Sequence, residues 1–104
     1  MRYTSNTDIS NERDFRPNHP SVALIDGKGW LYIQHRYGLT SRERQVAELI
    51  CQGDKNDAVA QTLSISPGTV KTHLRNIYRK VRVQSKISML LHFVAAIRHR
   101  SNDS

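Results

Sequence analysis

Ser66-Pro67-Gly68-Thr69-Val70-Lys71-Thr72-His73-Leu74-Arg75-Asn76-Ile77-Tyr78-Arg79-Lys80-Val81 reads as one helix with two unlike faces. Val70, Leu74, Ile77 and Val81 recur at i, i+4, i+7 and i+11, an apolar stripe at helical period. Lys71, Thr72, Arg75, Asn76, Arg79 and Lys80 fill most of the remaining surface. Between Pro67 and Lys86 there are six Lys or Arg and no Asp or Glu. A helix that is core on one side and cationic on the other suits docking on a polyanion.

The flanking residues give this helix its ends and its neighbours. Ser66 is placed to cap it, and Pro67 at the first helical position has no N–H to leave unpaired. Upstream, Ser64-Ile65-Ser66 is a three-residue connection to a short helix capped by Asn56 and carrying Val59, Ala60 and Leu63. Before that, Thr40-Ser41-Arg42-Glu43 is a capping box, with Leu39 as a hydrophobic staple. The helix that it opens has Val46, Leu49 and Ile50 inward and is stopped by Gly53. Downstream, Arg82-Val83-Gln84 breaks the pattern, and Ser85 caps a further helix to about Arg98. Residues 99–104 read as a frayed tail.

A short helix, a tight turn and a basic helix form a helix-turn-helix. Ala60 is small enough for the close crossing, and Val59, Leu63, Ile65 and Val70 can lock the basic helix at an angle. Lys71, Thr72 and Arg75 then lie near the end that enters a major groove first, where Arg and Lys can donate to guanine O6 and N7.

From Leu39 to Ile97 the chain resembles the LuxR-type (GerE-like) helix-turn-helix domain of bacterial transcription regulators. The matching residues are Leu39-Thr40-x-Arg42-Glu43, Leu49-x-x-x-Gly53, Asn56, Val59-Ala60, Leu63 and Ser66-x-x-Thr69-Val70-Lys71-x-His73, followed by Ile77, Tyr78, Lys80, Val83 and Ser85. The resemblance implies an all-α, four-helix domain over 39–98, with its third helix in the major groove and its fourth pairing two copies. By position it makes Lys71, Thr72 and Arg75 the base readers. It makes Arg42, Lys55, Asn56, Thr69, Tyr78, Arg79 and Lys80 phosphate contacts. The second helix departs from the family's usual Lys-Glu-Ile-Ala type: here it reads Asp57-Ala58-Val59-Ala60. The variable position held by Thr72 leaves the target sequence open.

The fourth helix has two apolar sets. Ile87, Leu90, Leu91 and Val94 face one way and are expected to pack on the domain. Met89, Phe93 and Ala96 face nearly opposite, and a surface helix in a small domain does not need a second apolar face. Either the Trp30 segment covers that face or a second copy does. The reading taken is the second copy, which makes Met89, Phe93 and Ala96 a homodimer interface. A larger family member, which such a module could pair with and modulate, and RNA polymerase are the further partners that the resemblance allows.

The remaining chain is polar and irregular. Residues 1–20 carry no helical or strand period and read as a disordered arm. Ser21-Val22-Ala23-Leu24-Ile25 could be a strand or a helical turn. Trp30, Ile33 and Tyr37 at i, i+3 and i+7 predict a short helix ended by Gly38, within an extension over 21–38. The 38 residues before Leu39 are too few for a receiver or sensing domain, so the expectation is a stand-alone member or a fragment.

The 104 residues carry a net charge of +7. Residues 1–39 hold five Lys/Arg against four Asp/Glu, and residues 40–104 hold eleven against five, so the basic character belongs to the C-terminal part. The single cysteine, Cys51, lies in an apolar helical pattern and suggests a reducing compartment. No signal peptide, membrane span, metal-ligand spacing, phosphate loop or nucleophile–base pair is legible. The sequence therefore predicts a cytoplasmic protein, nucleoid-associated when bound to double-stranded DNA, that is not an enzyme. No cofactor, membrane or small-molecule substrate is expected.

Overall fold

A computed structural model describes residues 25–103. Five helices follow one another: α1 (Gly27–Tyr37), α2 (Ser41–Cys51), α3 (Asn56–Leu63), α4 (Pro67–Val81) and α5 (Lys86–Asp103). No strand occurs among the described residues, so the architecture is all-α, as expected. α2 to α5 are the four helices of the basic domain, and α1 is the extra N-terminal helix. The expected arm over 1–20 and the apolar run 21–24 lie outside the described residues.

Local chemistry sets most of the helix ends. The Thr40 hydroxyl accepts from the Glu43 amide at 3.0 Å, and Glu43 Oε1 accepts from the Thr40 amide at 2.9 Å, the reciprocal box expected. Ser66 Oγ accepts from the Thr69 amide at 3.0 Å and Pro67 opens α4. Ser85 Oγ accepts from the Ser88 amide at 3.1 Å at the start of α5. Gly38 ends α1 with φ 68°, a left-handed conformation that glycine adopts without steric cost. Two expectations shift. The N-cap of α3 is Lys55, with no side-chain cap bond, and Asn56 sits one position inside the helix. α5 continues past Arg98 to Asp103, since Arg98-His99-Arg100 contains no helix breaker.

The core forms where these helices meet. Ile33, Val46, Val59, Val70, Ile77, Met89 and Phe93 are fully buried. α4 lies across α2 and α3, while α1 lies against α2 and α5. Asp26 caps α1 through the Gly29 amide at 2.8 Å. A Cβ at Gly29 would come within 2.8 Å of Ile25 Cγ2 and 3.2 Å of Ile97 Cδ1, so glycine permits the close approach of α1 to α5.

α5 is rotated from the expected orientation: of the stripe expected to pack on the domain, Leu90 and Val94 are only half-buried. Met89, Phe93 and Ala96 point inward and are buried, while Ile87 and Leu91 are 68% and 61% exposed. The reason is α1. Trp30 meets Phe93 edge-on, with ring centroids 5.6 Å apart and planes at 80°, and Tyr37 tilts against Phe93 at 5.7 Å. Phe93 thereby gains edge-on and tilted ring contacts with α1 that an aliphatic side chain in its place could not make. The Trp30 helix, and not a second copy, covers that face.

Candidate nucleic-acid interface

The helix-turn-helix is built by α3, the turn Ser64-Ile65-Ser66 and α4. Ser64 takes the left-handed conformation with φ 58°, and the Ile65 amide donates to the Ala60 carbonyl at 3.0 Å, which closes α3 tightly. Ala60 is 4% exposed at the crossing and Val59 and Val70 are fully buried, so the angle between α3 and α4 rests on the residues expected. Leu63 and Ile65 are packed against the same cluster from its edge.

The outer face of α4 holds the expected base readers. Lys71, Thr72 and Arg75 are exposed and lie within about one helical turn of each other, with Thr69 before them and Arg79 beyond, both exposed. Ser66 Oγ lies 2.9 Å from Thr69 Oγ1, and the Thr72 hydroxyl donates back to the Gly68 carbonyl at 3.2 Å. The Lys71, Arg75 and Arg79 side chains carry charge into solvent with no acidic residue on the helix to cancel it. Arg42, at the start of α2, is exposed and donates to Gln45 Oε1 at 3.1 Å. Lys55 is exposed at the start of α3.

Other expected contacts are placed less openly. Tyr78 is half-buried, and burial pushes its hydroxyl above the usual tyrosine range, with a smaller contribution from Cys51. Asn56 is half-buried and its side-chain oxygen has no partner. Lys80 turns away from the outer face: its Nζ donates to Glu43 Oε1 at 2.7 Å, and Glu43 is 4% exposed. Burial alone would push the Glu43 carboxyl up. The hydrogen bonds from Lys80 and the Thr40 amide, with the charge of Lys80 and of His73 beside it, outweigh burial and hold it below the usual carboxylate range. Sequence reasoning gave Glu43 a capping role only. Its second partner is 37 residues away, beyond the reach of any local pattern.

The residues that could do other chemistry are few. Burial, and then the nearby Glu48 carboxylate, push the Cys51 thiol up to about 12, so it carries no thiolate at neutral pH. No cluster of His, Cys, Asp or Glu among the described residues could hold a metal ion. No helix among them is long and apolar enough to cross a membrane.

Residues 38–93 match the family model of bacterial regulatory proteins, luxR family. The chain belongs to the luxR family. Over 69 residues it is 44% identical to the HTH-type transcriptional regulator MalT of Vibrio campbellii, which takes 66% of this chain and 7% of that protein. It is 41% identical over 56 residues to the nitrate/nitrite response regulator protein NarP of Escherichia coli, taking 54% of this chain and 26% of that one. It is 40% identical over 52 residues to the monoamine regulon transcriptional regulator of Klebsiella aerogenes, taking 50% and 23%. The chain thus spans about a quarter or less of the length of these relatives. No solved structure matches it significantly. The luxR match covers α2 to α4 and the part of α5 that reaches Phe93, so the turn and the exposed face of α4 fall wholly inside it. α1 lies before it.

Proposed function

We propose that this luxR-family chain is a sequence-specific double-stranded-DNA-binding transcription regulator that works by binding, without catalysis. The observation that carries the reading is the exposed cationic face of α4, held at the end of a tight helix-turn-helix. In this reading the N-terminal half of α4 lies in the major groove, and Lys71, Thr72 and Arg75 meet base edges. Thr69, Arg79, Arg42 and Lys55 meet phosphates, with Asn56 and Tyr78 at the margin. Cationic contacts release counterions, so affinity falls steeply with salt. Such a protein works in the cytoplasm.

Two copies pair through α5 in the same reading, so that inverted half-sites about one helical turn apart are read together. The pairing face differs from the one expected. Ile87 and Leu91, four residues apart and both largely exposed, form it in place of the buried Met89, Phe93 and Ala96. The same exposed pair supports a second reading, in which the chain couples to a larger relative and modulates it.

The reading is tested by two variants on a duplex selected from a random pool. Arg75→Ala is expected to relax specificity at one base pair, at a cost of about 1–3 kcal/mol against the preferred base. Arg79→Ala is expected to weaken binding evenly across sequences and to lower the salt slope by about one. Equal, sequence-independent losses from both would contradict the assignment of readers.

A further inference from the structure

Glu43 is the one charged residue among the described residues that is buried, at 4% exposure. A carboxylate taken out of water needs compensating partners. A single oxygen, Oε1, accepts from both of them: the Thr40 amide at 2.9 Å and Lys80 Nζ at 2.7 Å. The first bond belongs to the start of α2. The second reaches the last turns of α4. Ile77 and Lys80 recur at i and i+3 along α4, Ile77 fully buried and Lys80 bonded to Glu43 of α2. Lys71, Arg75 and Arg79 are on the exposed side. Lys80 therefore belongs to the inner margin of the helix, and its charge is matched locally by a carboxylate.

We infer that Glu43 and Lys80 form a clamp that holds α4 at its angle across α2, so that Lys80 positions the base readers and does not itself contact phosphate. The inference rests on the DNA-binding reading above. α4 is fixed at its N-terminal end by the turn at Ser64-Ile65-Ser66, and beyond that it rests on apolar contacts, which have no preferred direction. Arg75 lies about 12 Å along the helix from Pro67, so a tilt of about 5° about the turn moves it by about 1 Å. Binding groups must be held to about 0.5 Å. A charge-assisted hydrogen bond at the far end supplies the missing directional restraint.

The test compares wild type, Lys80→Met, Glu43→Gln and the double variant, on a duplex selected from a random pool and on a scrambled duplex, across a salt series. Lys80→Met keeps the aliphatic stem. Glu43→Gln keeps an oxygen that can accept from the Thr40 amide, so the capping bond survives and α2 still starts correctly. The clamp predicts that Lys80→Met weakens binding to the selected duplex about tenfold, within the range for residues outside a contact surface, with the salt slope unchanged. It predicts that Glu43→Gln also weakens that binding, although removing a negative charge near DNA would by itself tighten it. Both are expected to lower the ratio of selected to scrambled affinity, and the double variant to lose less than the two singles together. A slope that falls by about one in Lys80→Met, with the ratio kept and Glu43→Gln binding at least as tightly as wild type, would overturn the clamp and make Lys80 a phosphate contact. A wild-type chain that retains neither duplex would be the distinct failure of the DNA reading, seen before any variant is compared, and would remove the clamp's role with it.

Discussion

Arg82 ends α4 with φ 68°, in the left-handed region where a non-glycine residue is strained by about 1–2 kcal/mol. Gly38 takes the same conformation at the end of α1, and Gly53, one residue past the Gln52 cap of α2, also has a positive φ. Arg82→Gly should therefore stabilise the fold. Part of the gain is offset by the greater freedom of glycine in the unfolded chain, which leaves about 0.5–1 kcal/mol. In a domain of this size that raises the thermal midpoint by roughly 2–8 °C. A midpoint that stays level or falls would mean that the Arg82 side chain contributes a contact equal to the strain.

The same scale separates what is legible in a sequence from what is not. The Thr40–Glu43 box was readable because both of its halves lie within one helical turn. The caps at Ser66 and Ser85 were readable for the same reason. The LuxR resemblance makes Lys80 a phosphate contact by position, and no local pattern in the sequence marks its bond to the Glu43 carboxylate, 37 residues away. Asn56 has a side chain suited to capping, yet Lys55 occupies the cap of α3 without a side-chain bond and Asn56 is the first helical residue.

Among the elements, α5 is the one whose pattern admits two answers. Ile87, Leu90, Leu91 and Val94 form one helical stripe, and Met89, Phe93 and Ala96 form another. Periodicity shows both and ranks neither. The choice is made by α1, whose Trp30 and Tyr37 both pack on Phe93. The short Trp30 helix is itself legible, and so is the option that it covers the Met89, Phe93 and Ala96 face, but periodicity does not decide between it and a second copy. Phe93→Ala should thus act as a core truncation and cost about 3–5 kcal/mol in chemical denaturation. Leu91→Glu should leave the unfolding midpoint nearly unchanged and, where α5 pairs two copies, shift the sedimenting mass to that of one chain. An unchanged mass with either residue at position 91 would exclude pairing through this face.

Across the whole molecule, charge is unevenly spread, and the buried carboxylate ties stability to pH. Glu43 is held below the usual carboxylate range in the folded state. It therefore contributes stability that is present above the unfolded pKa and is lost as pH falls through the lowered folded value. Glu48 has the opposite sign: burial raises it despite the Arg44 guanidinium 3.0 Å away, so its protonation on acidification slightly relieves the fold. Thermal midpoints recorded from about pH 7 to pH 3 should fall more steeply in wild type than in Glu43→Gln. Parallel curves would mean that the Glu43 carboxyl titrates alike in the folded and unfolded chain.

The cationic outer face of α4, in the proposed function, reads sequence and does not merely attract polyanions. The direct measurement is selection of binding sites by this chain from a random pool of duplex DNA at moderate salt. Sequence reading by two paired copies predicts enrichment of one half-site motif, repeated in inverted orientation about one helical turn apart. Salt-sensitive retention with no enriched motif would contradict it, because Lys71, Thr72 and Arg75 would then be adding affinity without discrimination.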